Sequence, residues 1–196
     1  MSGRAAIFFD RDGVLNRDAG YITHLDDYKL YPRSAAAVRC VNEAGLLAIL
    51  ATNQAGAARG YFPVEMIGRV HEKLEAELAR QGAHLDAIYL CPYHPSSDDP
   101  VLAVDSDLRK PKPGMLLQAA KDHGVDLERS YMIGDKYSDM ECGWAAGCRG
   151  AYVLTGYGRG SRDHFGGGWA REPDICAEDA YHAVQLIIEE RNEGKR

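Results

Sequence analysis

No stretch of this chain holds the roughly 18 consecutive apolar residues that a membrane-spanning helix needs, which excludes such a span. Positive charge is not in excess either. The 23 Lys and Arg stand against 29 Asp and Glu, for a net charge of −6. That balance points to neither nucleic acid nor an anionic membrane surface as a partner. The five cysteines, at positions 40, 91, 142, 148 and 176, are odd in number and scattered. Such a set reads as buried free thiols in a reducing compartment rather than a disulfide framework. Met1-Ser2-Gly3-Arg4 leads straight into an apolar run, too short a preface for a signal peptide. A cytoplasmic location is the expectation. There is no internal repeat and no low-complexity segment. With 45% hydrophobic and 27% charged residues over 196 positions, the chain reads as one globular domain, 1–196, able to bury a sizeable core. A monomer is expected.

Apolar runs and amphipathic stretches alternate along the chain, the pattern of an α/β fold with a parallel sheet. Strands are expected at 5–9, 46–51, 87–90, 131–133 and 150–154. Ser34 is placed to N-cap a helix ending at Gly45. Pro63 is placed to open a long helix that fades near Gly82, with Val64, Ile67, Val70, Leu74 and Leu78 at helical spacing. Further helices are expected at 114–123, 138–146 and 178–191, the last packing on Val184, Leu186, Ile187 and Ile188, with a fraying tail from Glu189 to Arg196. The Gly-rich stretch 155–173 reads as a mobile loop.

Chemistry concentrates where strands end. Ala5-Ala6-Ile7-Phe8-Phe9 is followed by Asp10-Arg11-Asp12-Gly13-Val14. Two carboxylates at the mouth of a parallel sheet suit work on a phosphate. One can attack phosphorus while helping to hold a divalent cation, and the other can pass a proton to the leaving oxygen. An acidic turn is the plain alternative. Thr52-Asn53-Gln54 follows the second run, Arg109-Lys110-Pro111-Lys112-Pro113-Gly114 opens a helix, and Gly134-Asp135-Lys136 follows Tyr131-Met132-Ile133. In an open parallel sheet, ligands bind beyond the carboxyl ends of the strands, so these groups converge on one crevice.

This ordered set resembles the haloacid dehalogenase superfamily of phosphotransferases. Within it, the resemblance is closest to the small histidinol-phosphate and heptose-bisphosphate phosphatases. It is carried by 10–16, Gly20-Tyr21, 52–60, 109–111 and 134–136, and extends over about residues 5 to 155. The resemblance implies a Rossmann-like three-layer parallel sheet. Asp10 is then the nucleophile and a metal ligand. Asp12 is the general acid and later the base, with its backbone carbonyl on the metal. Asp135 is the third protein ligand. Hard oxygen donors of this kind suit Mg²⁺. Thr52 offers a hydroxyl and backbone donors to the phosphoryl oxygens, and Lys110 offsets charge on the transferring group. Asn53, Gln54, Lys136, Asp18, Gly20 and Tyr21 carry over as phosphate- or substrate-binding positions. Arg109 is suited to clamp a remote phosphate or sugar oxygens. Lys112 competes with Lys110 for the superfamily lysine, and Asp139 either supports the metal ligands from behind or is the N-terminal acid of the next helix.

Two departures shape the expectation. Many superfamily members carry a separate cap domain. Here about 40 residues separate Asp10 from Thr52 and about 55 separate Asn53 from Lys110, which leaves no room for a folded cap of about 60 residues. Specificity should then rest on loops 16–31, 91–108 and 155–173. Small phosphatases of this group also often carry a structural zinc on Cys-x-His and Cys-x-Cys. The corresponding positions here read Cys91-Pro92-Tyr93 and Ser106-Asp107-Leu108, with His94 displaced by one residue. One ligand of four remains, so no structural zinc is expected. Cys91, His94, Asp105 and Asp107 form the irregular alternative. The other histidines, at 24, 71, 84, 123, 164 and 182, show no ligand spacing and read as surface or packing residues. The resulting expectation is a Mg²⁺-dependent phosphatase of a small phosphorylated metabolite, with D-glycero-D-manno-heptose 1,7-bisphosphate first and histidinol phosphate second. A phospho-acceptor signalling domain and a non-catalytic phosphate-binding protein are the rivals from other classes.

Overall fold

The computed structural model describes residues 3–193. The end of the expected fraying tail, 194–196, lies outside them. Six strands form one parallel sheet in the order β3-β2-β1-β4-β5-β6: β1 Ala6–Phe9, β2 Leu47–Asn53, β3 Ala87–Cys91, β4 Tyr131–Gly134, β5 Arg149–Val153 and β6 Ile175–Ala177. Helices α1 Ser34–Glu43, α2 Glu65–Ala79, α3 Gly114–His123, α4 Tyr137–Ala146, α5 Gly158–Phe165 and α6 Ala180–Glu193 alternate with them.

β1 and β2 are buried along almost their full length, as strands covered on both faces must be. The period of two sends Ile7 and Phe9 to one side of the sheet and Ala6 and Phe8 to the other. The first side packs on Val38 and Val41 of α1, Leu74 and Leu78 of α2, and Val184 and Ile187 of α6. The second packs on Met115, Leu116 and Ala119 of α3 and Cys142 of α4. This is the three-layer α/β arrangement, without a separate cap among the described residues.

Three expectations change. Ser34 is the first residue of α1, not its cap, because its hydroxyl donates to Leu15 O at 2.7 Å and so fastens the helix to the loop after β1. The stretch 155–173 contains α5 and a short 3₁₀ turn at Gly166–Gly168 rather than a wholly irregular loop. β6 is a sixth strand beyond the five expected. It is three residues long, pairs with β5, and carries too little apolar alternation to stand out.

The chain reverses direction at β1: β2 and β3 lie on one side of it and β4, β5 and β6 on the other. That switch point opens a crevice beyond the carboxyl end of β1. β1, β2 and β4 end there at Phe9, Asn53 and Gly134, so residues distant in sequence meet.

Candidate active site

Asp10 leaves β1 with its N–H still donating to Ile133 O of β4 at 3.0 Å. The backbone position of its carboxylate is therefore set by the sheet. Asp10 Oδ1 accepts from Arg11 N at 2.7 Å and sits 2.9 Å from Lys110 Nζ. Lys110 also reaches Asp139 Oδ1 at 2.7 Å and donates to Ala51 O at 2.9 Å. Burial alone would lower the lysine pKa, but the carboxylates of Asp10 and Asp139 outweigh it and raise the value, so the ammonium is charged. Asn53 holds the Lys110 backbone from both sides, donating to its O and accepting from its N at 3.1 Å each. Lys112, by contrast, pairs with Asp105 at the surface.

Asp10, Asp135 and Asp139 place carboxylate oxygens within 4.8 Å of one another, all three residues buried. Desolvation, aided by Asp139 and Asp10, pushes the Asp135 carboxyl up to about 8. Its Oδ2 accepts from Tyr157 N at 2.8 Å, whereas its Oδ1 is buried with no hydrogen-bond partner. An orphaned carboxylate oxygen beside two further acids fits a hard divalent cation. Two glycines make room for it. A Cβ on Gly13 (φ +86°) or on Gly156 (φ +57°) would fall 2.1 Å from Asp135 Oδ2, so neither position tolerates a side chain. Asp139 is the third residue of α4 and accepts from Lys136 N at 3.1 Å. It thus serves as the helix-terminal acid and as the partner of Lys110 together.

Asp12 faces the other way. Its carboxylate accepts from Arg11 Nη2 at 2.9 Å, Asn16 Nδ2 at 2.8 Å and Gln54 Nε2 at 2.8 Å. Burial would raise its pKa, but the Arg11 charge and these hydrogen bonds outweigh that and lower it. Arg11 is itself buried, donating to Gln54 Oε1 at 2.7 Å and approaching His71 Nε2 of α2 at 3.3 Å. Gln54 completes the set by donating to Thr52 Oγ1 at 2.9 Å. Thr52 and Gln54 are therefore buried beside Asp12 rather than set on the wall of the cleft.

A cleft of about 400 Å³ runs over these groups, lined by Asp10, Asp12, Asp18, Gly20, Tyr21, Asn53, Arg109, Lys110 and Lys136 from the expected set. Lys136 Nζ lies 3.3 Å from Asp18 Oδ2 and 4.8 Å from the Tyr157 ring centroid. Asp18 Oδ1 accepts from Gly20 N at 2.7 Å, which shapes the loop that presents Tyr21. Sequence reasoning assigned no role to Ala55, Arg59, Ser138 or Tyr157, which also line the cleft, or to the buried Arg11–His71 contact. Arg59 lies within the 52–60 stretch, the one signal available for it. His71 gave no signal beyond being an isolated polar residue in an apolar helix pattern.

The loop after β3 is laced by its own bonds. His94 N donates to Leu102 O at 3.0 Å, Gly114 N to Asp107 O at 3.0 Å, and Lys112 reaches Asp105 at 2.9 Å. Cys91 is buried, its thiol donating to Tyr93 O at 3.9 Å, and His94 turns to Arg59.

Residues 107–183 match the HAD-hydrolase-like family model. A D-glycero-D-manno-heptose-1,7-bisphosphate 7-phosphatase of Thermosynechococcus vestitus is 44% identical over 192 residues, covering 94% of this chain and 95% of its own. A D-glycero-beta-D-manno-heptose-1,7-bisphosphate 7-phosphatase of Pasteurella multocida is 43% identical over 143 residues, 73% of this chain and 77% of its own. Among solved structures, D,D-heptose 1,7-bisphosphate phosphatase from B. bronchiseptica, complexed with magnesium and phosphate, aligns with a TM-score of 0.83 at 33% identity. That alignment covers 95% of this chain and 99% of the other.

Proposed function

The chain belongs to the haloacid dehalogenase-like hydrolases, in the group of heptose-bisphosphate phosphatases, and from that membership we propose that it hydrolyses D-glycero-D-manno-heptose 1,7-bisphosphate through an aspartyl-phosphate. It is a phosphatase of phosphate monoesters. The observation that carries the proposed chemistry is Asp10, fixed at the mouth of β1 and 2.9 Å from the Lys110 ammonium, within a buried acid group.

Asp10, the backbone carbonyl of Asp12 and Asp135 would hold Mg²⁺, which when bound supplies positive charge for the phosphoryl oxygens. The carboxylate of Asp10 attacks phosphorus, and the phosphorus–oxygen bond to the sugar breaks as the new bond forms. Lys110 offsets the charge spread over the transferring oxygens. The leaving alkoxide takes a proton from Asp12. Water then attacks the aspartyl-phosphate, Asp12 removes its proton, and inorganic phosphate and free Asp10 are regenerated.

Asp12 begins as a charged carboxylate held by Arg11, Asn16 and Gln54. It must therefore take up a proton from solvent as the dianionic substrate binds, since the added negative charge favours the protonated form. Arg109 and Arg59 line the same cleft and supply positive charge for the second phosphate of a bisphosphate. We place the whole of 1–196 in a single catalytic domain that works as a monomer without structural zinc.

Phosphate release from a panel containing heptose bisphosphate, histidinol phosphate and simple sugar monophosphates tests the substrate. The bisphosphate should give the highest kcat/KM. Asp10→Asn removes the nucleophile at nearly constant volume and should lower kcat more than about a hundredfold, or roughly 2.7 kcal/mol in barrier height. A variant that keeps over about a hundredth of wild-type kcat removes Asp10 from the nucleophile role.

A further inference from the structure

We propose that His94 is a positioning residue that holds Arg59 over the cleft to receive the remote phosphate of the substrate, an inference that rests on the bisphosphate reading. Arg59 bridges two loops. Its Nη1 donates to Tyr21 Oη at 2.9 Å, and its Nη2 lies 2.8 Å from His94 Nε2. A guanidinium can only donate, so in this contact His94 Nε2 accepts and the ring proton sits on Nδ1. Ser96 offers Nδ1 both an acceptor, its Oγ at 2.7 Å, and a donor, its exposed backbone N at 3.1 Å. The two shorter contacts, to Arg59 and to Ser96 Oγ, are met together by the Nδ1–H tautomer, which leaves Ser96 N to solvent. The chain Ser96–His94–Arg59–Tyr21 in that tautomer sets the direction of the guanidinium. Tyr21 is fixed in turn by stacking on Tyr61, with centroids 4.2 Å apart and planes at 21°. Three loops, those after β1, β2 and β3, meet at one cation.

That cation is available to an anion. Among the described residues, no carboxylate neutralises Arg59 or Arg109, and Arg109 Nη1 is buried without a hydrogen-bond partner although Arg109 lines the cleft. Desolvation and the charges of Arg59 and Arg109 hold His94 below its ordinary pKa, so at neutral pH it is the acceptor the contact requires. Without that acceptor, an exposed arginine keeps only the Tyr21 contact. It then recovers the rotamer freedom that phosphate binding must remove.

The test compares steady-state kinetics on heptose 1,7-bisphosphate with those on heptose 7-phosphate, which has the same scissile ester and no second phosphate. His94→Phe should raise KM for the bisphosphate about tenfold, the worth of roughly one charged hydrogen bond. It should leave kcat within about twofold and the monophosphate kinetics unchanged. His94→Gln, whose amide oxygen can accept from Arg59, should restore most of the loss. Ser96→Ala, which frees the ring to turn, should show the same split at smaller size if His94→Phe folds poorly. Arg59→Ala should lose at least as much as His94→Phe on the bisphosphate alone. An unchanged bisphosphate KM, equal losses on both esters, or His94→Gln no better than His94→Phe would overturn the assignment while the wild type stays active. A wild type that releases phosphate from neither ester overturns the substrate reading and this inference with it.

Discussion

Asp12 and Asp10 are two residues apart, yet their neighbours give them different surroundings. Asp10 shares Lys110 with Asp139, whereas Asp12 is gripped by Arg11, Asn16 and Gln54. The two carboxylates were legible from sequence because their spacing and their place behind an apolar run are local. The grip on Asp12 was not, because His71 joins it through Arg11 from a helix 60 residues away. That buried contact has a measurable consequence. Desolvation first, then the Arg11 charge, lowers the His71 pKa from 6.5 to about 4. Folded His71 is therefore neutral where unfolded His71 takes up a proton. Its contribution to stability is complete above about pH 6.5 and is lost as pH falls toward 4, up to about 3 kcal/mol. His71→Gln keeps an acceptor for Arg11 but cannot titrate. Between pH 7 and pH 5 the urea midpoint of the wild type should fall further than that of the variant. Parallel losses in the two proteins would show that His71 does not govern this limb.

At the scale of elements, long amphipathic helices such as α2 and apolar strands such as β2 were legible because their periods are clear. α5 was hidden by glycines on either side of it, and β6 by its brevity. Loop 91–108 is the most informative segment. It lacks three of four zinc ligands and instead closes through His94–Leu102, Lys112–Asp105 and Asp107–Gly114 contacts. These pairings involve loop residues without periodicity, so sequence reasoning could predict the lost ligands but not their replacement. Burial raises the Cys91 thiol pKa, which keeps the sulfur in the protonated form that metals bind poorly. Cys91→Ser should therefore leave activity unchanged and cost at most about 1 kcal/mol for the buried hydroxyl. Purified protein should carry well under one zinc per chain. Stoichiometric, chelator-resistant zinc lost in Cys91→Ser would mean that Cys91 and His94 had rebuilt a site with the nearby aspartates.

For the molecule as a whole, the order β3-β2-β1-β4-β5-β6 matters more than any one contact. It brings Asp10 beside Gly134-Asp135 on one flank and Thr52-Asn53 on the other, which is why four separate motifs are legible as one site from the sequence. The order also concentrates like charge. Asp10, Asp135 and Asp139 crowd within 4.8 Å, and Lys110 offsets two of them. Asp135 keeps one buried oxygen unpartnered, so the fold carries a local cost that a bound cation would remove. A ligand that binds only the folded state stabilises it by about 2.7 kcal/mol at a hundred times its Kd. For a chain of this length that corresponds to a rise of about 5–11 °C in Tm. Saturating Mg²⁺ should accordingly raise Tm, and EDTA should lower it and abolish phosphate release, with Mg²⁺ restoring both. Ca²⁺ should recover part of the stability but little activity, because its longer bonds and higher ligand number displace the attacking oxygen. Asp135→Asn should remove most of the Mg²⁺-dependent rise in Tm while the metal-free Tm holds or increases, since the variant no longer crowds a third buried acid beside Asp10 and Asp139. A full Mg²⁺ response in Asp135→Asn, or full activity in EDTA, would place the cation elsewhere or remove it from the reaction.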